Sequence, residues 1–196
     1  MSPSDRTVVI YEDKLSKDAR SPNNYLPHLF ILHCLADKMG QITNVWNLAP
    51  YFKPIPMNGI GNIKNVFLNK REMYRPHGEH LLFVADADRV PEHFGISRQE
   101  TSCMCHEILC MIPEKERENN VQFYLLVDNL ESIVTAAAHV LHDELPEKSH
   151  LARDRILGKL LEPRLSEQRK EIVATVPMLP NIIDHLFQRL NGASRG

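Results

Sequence analysis

Three carboxylates in the 196-residue chain have the types and spacing of a cation site. Glu12 closes an apolar, largely β-branched run, Thr7-Val-Val-Ile-Tyr11. Asp86 and Asp88 follow a second such run, Leu81-Leu-Phe-Val-Ala85. Two positions apart on an extended backbone, Asp86 and Asp88 point the same way. Carboxylates that converge on one spot repel unless a cation lies between them, and hard oxygen ligands suit Mg²⁺ or Mn²⁺. Each acid alone has an ordinary reading, since Asp and Glu at strand ends start turns or cap helices. An acid after one apolar run joined to D-x-D after another favours the site.

A second cluster is Cys103, Cys105, His106 and Cys110. On a helix, Cys103 and His106 share a face, as do His106 and Cys110, while Cys105 points elsewhere. Structural zinc sites pair C-x2–4-C with a distant second pair, which the chain lacks. Small buried hydrophobes are the favoured reading over zinc, and no nearby acid orients a Cys–His nucleophile. His77 and His80 flank Gly78 before the second apolar run and read as loop residues at the opposite end of the sheet from the acids. Gly59-x-Gly61 lacks the third glycine of a dinucleotide site, and there is no G-x4-G-K-[S/T] phosphate loop.

The elements that must position these groups alternate. The run at 7–11 reads as a strand buried on both faces, as in a parallel sheet. A helix is predicted over 27–39. Pro50, Pro54 and Pro56 require the next strand, 52–57, to be short or at an edge. Asn58-Gly59-Ile60-Gly61 turns the chain into a helix over 62–69, and the strand at 81–85 follows. Ser97-Arg-Gln-Glu100 has the form of a capping box, predicting a helix over 98–111. Residues 113–120 read as a charged loop and 122–127 as the last strand. Leu130, Ile133, Val134, Ala137, Ala138 and Leu141 then stripe a helix. Helices follow over 149–162, 165–174 and 180–190. Strands alternating with helices imply an α/β fold, with a mostly parallel sheet carrying helices on both faces. Ligands of such sheets bind outside the carboxyl ends of the strands, the edge at which Glu12, Asp86 and Asp88 fall.

V-V-I-Y-Glu12, the glycine turn and L-F-V-A-Asp86-A-Asp88 together resemble the Toprim fold, the Rossmann-like metal-binding domain of topoisomerases, DnaG-type primases and OLD-type nucleases. The resemblance covers residues 7–140 and is nearest to small stand-alone bacterial Toprim proteins. Their later G-x-L-E turn reads Asp128-Asn129-Leu130-Glu131 here, without the glycine. The resemblance implies a Toprim-like α/β domain over 1–146 and a helical extension over 147–196. It implies a Mg²⁺-dependent (or Mn²⁺-dependent) endonuclease hydrolysing phosphodiester bonds in DNA or RNA, with Glu12, Asp86 and Asp88 catalytic and metal-binding. Glu131 would complete a second metal site, or else pairs with Asp128 as a helix cap. Asp13 is a substitute ligand. Proteins of this kind work beside a separate ABC-type ATPase in antiviral defence. A non-catalytic interaction module that docks a partner protein is the alternative.

Composition is compatible with either. Twenty-three Lys+Arg against 25 Asp+Glu give a net charge of −2, which excludes a basic nucleic-acid coat or an acidic tail. Lys14, Lys64 and Arg89 are candidate phosphate contacts at the site edge, with Lys17, Arg20, Lys70, Arg71 and Arg75 around them. The polar start predicts no signal peptide, no run is long enough to span a bilayer, and the cysteine layout predicts a reducing, cytoplasmic setting. Two apolar stripes mark the C-terminal helices. Ile156, Leu157, Leu160 and Leu161 are expected in the core. Ile182, Ile183, Leu186, Phe187 and Leu190 are expected against a partner or a second copy.

Overall fold

Largely β-branched and uncharged, Thr7–Tyr11 forms β1 and is buried at every position. It lies inside a four-stranded, all-parallel sheet with β2 (Phe52–Pro56), β3 (His80–Asp86) and β4 (Val121–Leu126), in the order β2-β1-β3-β4. The structure is a computed structural model and describes residues 6–12, 24–40, 45–77, 80–127, 129–143 and 150–193. The fold is α/β with a helical C-terminus, as the alternation of elements predicts. The proline-bearing β2 is an edge strand, where a missing N–H costs no ladder bond. The chain passes from β1 out to β2 and back over β1 to β3, so the sheet's switch point lies between β1 and β3.

Two compact units divide the chain. One comprises Met1–Leu15 and Pro50–Asp128, the other Ser16–Ala49 and Asn129–Gly196. The first unit holds the sheet with α2 (Ile60–Asn65), α3 (Val90–Phe94), α4 (Thr101–Leu109) and α5 (Glu114–Asn119). α2 runs on as a π-helical turn, Val66–Lys70. The turn delivers Phe67 to the sheet. Phe83 and Phe123, paired in register on β3 and β4, stack at 5.8 Å, and Phe67 meets each edge-on at 5.2 Å. Phe94 of α3 closes the layer against Phe123 at 5.7 Å. Each such pair contributes about 0.5–1.5 kcal/mol beyond its buried area.

Two local readings change in this unit. The capping box at Ser97–Glu100 does not form: α4 starts at Thr101, and Glu100 makes no side-chain cap. Arg98 instead bonds the Asp88 carbonyl at 3.1 Å and Gln99 bonds Glu107 at 2.6 Å. The charged stretch after Pro113 is a helix, α5. Glu114 and Glu116 fall in its first turn, where the backbone dipole favours negative charge.

The second unit gathers α1 (Leu26–Lys38), α6 (Asn129–Val140), α7 (His150–Lys159), α8 (Ser166–Thr175) and α9 (Leu179–Ala193). α1 buries Phe30, Ile31, Leu32, Leu35 and Ala36, more than one helical face, and α7, α8 and α9 all pack on it. Ile156, Leu157 and Leu160 are buried, as expected of the first stripe. The expectation that α9 turns its stripe to another chain is corrected. Ile182, Ile183, Leu186 and Leu190 are covered within the chain, because the broad apolar surface of α1 supplies the mate. Arg169 locks this unit: 2% exposed, it forms a two-pronged ion pair with Asp37 at 2.6 and 3.0 Å. It also bonds the carbonyls of Leu160 at 2.7 Å and Glu162 at 2.8 Å.

Removing one partner of a buried ion pair strands the other, so Arg169→Ala should cost about 3–5 kcal/mol in urea denaturation. A loss below about 1 kcal/mol would show that Asp37 finds another partner. Two histidines make the same unit acid-sensitive. Burial, then the charge of Arg169, holds His33 down at about 4, and burial with Arg189 does the same for His185. The unfolded imidazoles, near 6.5, take up protons first as pH falls. Stability is thus fully present above about 6.5 and drains away toward about 4. Thermal melts across this range should show that loss, and His185→Gln should flatten it.

Candidate functional site

The carboxyl ends of β1 and β3 meet at Glu12. The ladder continues one residue past β1, with the Glu12 N–H on the Val84 carbonyl at 3.0 Å. By the register Tyr11↔Val84, Glu12 lies beside Ala85 and shares its face with Ile10 and Phe83. Its carboxylate accepts the Asp86 N–H at 2.9 Å and the Ile60 N–H at the start of α2. Its own carbonyl takes the Gly59 N–H at 2.6 Å. One residue therefore ties the ends of three strands.

The glycine turn is shaped for this. Asn58 has φ 59° and Gly59 φ 112°. The second value lies in a region that L side chains rarely adopt. Asn62 holds the turn by donating to the carbonyls of Met57 at 2.8 Å and Asn58 at 3.1 Å. The aromatic layer beneath fixes where α2 and α3 begin, and so where the Ile60 N–H and Arg89 stand.

Burial is the main cause that raises the Glu12 carboxyl above its ordinary value, and the charge of Asp88 adds to it. The N–H groups of Asp86 and Ile60 and the charge of Arg89 pull the other way. Glu12 and Asp88 thus share one electrostatic neighbourhood. Asp86 does not project beside Glu12. Alternation along β3 puts its side chain with Leu82 and Val84 on the face opposite Ala85. The extended backbone expected to align Asp86 with Asp88 stops at Asp86, and residues 87–89 form a turn. Asp88 is exposed within it. Among the described residues, no group of three or more His, Cys, Asp or Glu side chains is placed to hold a metal ion. Asp13, Lys14, Lys17, Arg20 and Asp128 lie outside the described residues.

The other candidates are dispersed. Glu131 is exposed in the first turn of α6, a favourable place for a negative charge at a helix start. Lys64 gives its ammonium to the His93 carbonyl at 2.6 Å, joining α2 to α3. Arg71 pairs with Glu116 at 2.8 and 3.0 Å, and Arg75 approaches the same carboxylate at 3.6 Å. Those two arginines serve structure, and they hold the Glu116 carboxyl below its usual value. Arg89 stays exposed at the site. His80 lies at the far end of β3 from the acids, as expected, but within the strand and not in a loop, and His77 ends a short 3-10 turn, Arg75–His77. Sequence reasoning missed the Ile60 N–H and Arg98: a backbone donor leaves no residue signature, and Arg98 lies in a segment without periodicity.

Compared with protein-family models, curated proteins and solved structures, the chain matches none.

Glu12→Ala removes the acceptor of two backbone N–H groups and should cost about 1–3 kcal/mol in urea denaturation. The raised carboxyl has a definite sign. The folded chain holds this proton to higher pH than the unfolded chain, so Glu12 withdraws stability as pH climbs through and above the ordinary carboxylate range. Asp88→Asn, which deletes the repelling charge, should lower the Glu12 titration midpoint in carboxyl-carbon NMR. An unmoved midpoint would separate the two acids.

Proposed function

We propose that the chain is a Mg²⁺-dependent nuclease of the Toprim type, acting on phosphodiester bonds in DNA or RNA at the carboxyl end of β1 and β3. One observation carries the reading: a partly buried glutamate at the switch point of a parallel sheet, its proton affinity raised by burial and by a neighbouring aspartate. Perturbed acids at such a crevice are the mark of a functional site.

The donor chemistry suits the cation. Mg²⁺ is commonly held by one or two carboxylates, with waters and substrate phosphates filling the other positions, so it does not require a three-residue cage. Glu12 and Asp88 are the pair that would hold it, and neutralising their mutual repulsion favours binding. When bound, the cation supplies Lewis-acid polarisation of the phosphodiester. Arg89 offers a positive charge to the incoming phosphate. Glu12, locked by two N–H bonds, keeps its carboxylate oriented at the strand end. Asp86 supports the site from the other face of β3, its N–H holding Glu12. In a defence setting, the lack of a phosphate loop in these 196 residues is consistent with ATP hydrolysis by a separate ABC-type ATPase.

A second reading has its own support. Both N–H bonds to Glu12 are satisfied without any cation, as in a structural staple, and a non-catalytic module docking a partner protein would need no more.

Supercoiled DNA and single-stranded RNA incubated with the chain and Mg²⁺ or Mn²⁺ decide between them. Divalent-dependent cleavage, lost in a folded Asp88→Ala protein, is the expected result. Mg²⁺ should also lower the Glu12 NMR midpoint in the parent chain and leave it unmoved in Asp88→Asn. Full cleavage by folded Asp86→Ala removes Asp86 from the site. Absence of any Mn²⁺ or Mg²⁺ binding removes the nuclease reading and leaves the module.

A further inference from the structure

The helical period of α4 sorts its sulfur. Met104, Cys105 and Ile108 are buried, while Cys103, His106 and Glu107, with Cys110 just past the last turn, are exposed. The reading of this cluster as small buried hydrophobes therefore holds for Cys105 and fails for Cys103 and Cys110. Gln99, Ser102, Cys103, His106, Glu107 and Cys110 line a shallow, largely open hollow. At one end, Cys110 Sγ lies 3.6 Å from His106 Nε2 and accepts a hydrogen bond from Arg117 Nη1 at 3.0 Å. Arg117 is itself steadied by Glu114 at 3.7 Å. An exposed thiol in contact with an imidazole and a guanidinium is a nucleophile with its proton acceptor in place.

We propose that Cys110 is a site of covalent modification by thiol–disulfide exchange with a low-molecular-weight peptide disulfide. The Ser102 hydroxyl lies in the same hollow, and the Arg117 guanidinium beside the sulfur can meet a carboxylate of such a ligand. Cys110 Sγ attacks one sulfur of the disulfide while its proton passes to His106 Nε2. The new sulfur–sulfur bond forms as the old one breaks, and the electron pair leaves with the second sulfur. That sulfur takes the proton from His106 and departs as a free thiol. One thiol and one disulfide give one mixed disulfide and one thiol, the small disulfide being the oxidant.

The other thiols cannot substitute. Burial pushes the Cys105 thiol up to about 11 and the Cys34 thiol well above its ordinary value. Cys103 is seven residues from Cys110, about 10.5 Å along a helix, beyond the roughly 7 Å that a disulfide spans. The mixed disulfide at Cys110 is therefore not resolved within the chain.

Oxidised glutathione is the probe, used on the whole chain at neutral pH with acid quench and peptide mapping by mass spectrometry. One glutathionyl group on Cys110 is expected, with Cys103 modified at least about tenfold more slowly. His106→Ala, an exposed and structurally neutral change, should slow Cys110 by about tenfold or more, the scale of a lost general base. Cys110→Ser should abolish the fast adduct. Equal rates at Cys103 and Cys110, an unchanged rate in His106→Ala, or chain-to-chain disulfide dimers in place of the adduct would overturn the proposal.

Discussion

Glu12 is the constraint around which the sheet-bearing unit is arranged. Its amide extends the β1–β3 ladder, its carbonyl receives the Gly59 N–H, and its carboxylate receives the N–H groups of Asp86 and Ile60. A parallel sheet has no hairpins to hold neighbouring strand ends together, because its strands are joined by long crossovers. Here one side chain does that work across β1, β3 and the turn after β2. The arrangement depends on α2 beginning where it does. That in turn rests on a left-handed Asn58, a glycine at φ 112° and the Phe67 ring wedged against Phe83 and Phe123.

The sheet was legible because each of its strands has a one-dimensional signature. Thr7–Tyr11 carries no charged residue and three consecutive aliphatic ones, the near-continuous apolar run of a strand buried on both faces. Pro54 and Pro56 marked β2 as short or at an edge before any pairing was known. Glu12 and the Asp86-Ala-Asp88 group were placed at the correct end of the sheet by the same logic, since only chain direction was needed. Their mutual geometry was not legible. Whether Asp86 shares a face with Glu12 depends on the register between β1 and β3, and a shift of one residue would reverse the answer.

The remaining departures have a common cause: a segment's fate was set by residues far away in sequence. Ser97–Glu100 has capping-box letters, yet Arg98 is drawn to the Asp88 carbonyl and Gln99 to Glu107. The apolar stripe of α9 looked like an interface because its mate, α1, lies more than 140 residues upstream. Arg169 and Asp37, 132 residues apart, could not be paired from spacing at all. Arg71 and Arg75 looked available for phosphate until Glu116, on a helix read as a loop, took them.

The acids of this chain separate by how their charge is answered. Asp37 meets the Arg169 guanidinium in two-pronged geometry, and Glu116 meets Arg71 with Arg75 behind it. Each is a complete ion pair, with its hydrogen-bonding directions filled by a cation, and has little left to offer a ligand. Glu12 is answered differently. Neutral N–H groups orient it, Arg89 acts through its charge, and Asp88 adds a second negative charge. Backbone dipoles fix a carboxylate's position without cancelling its charge. The result is an oriented, partly buried acid whose proton affinity is raised rather than lowered, in contrast to Glu116. Ionising such an acid within the fold costs free energy that a guanidinium in place of Asp88 would offset. A cation arriving from solution offsets the same charge, and a phosphodiester can then approach an edge that would otherwise repel it.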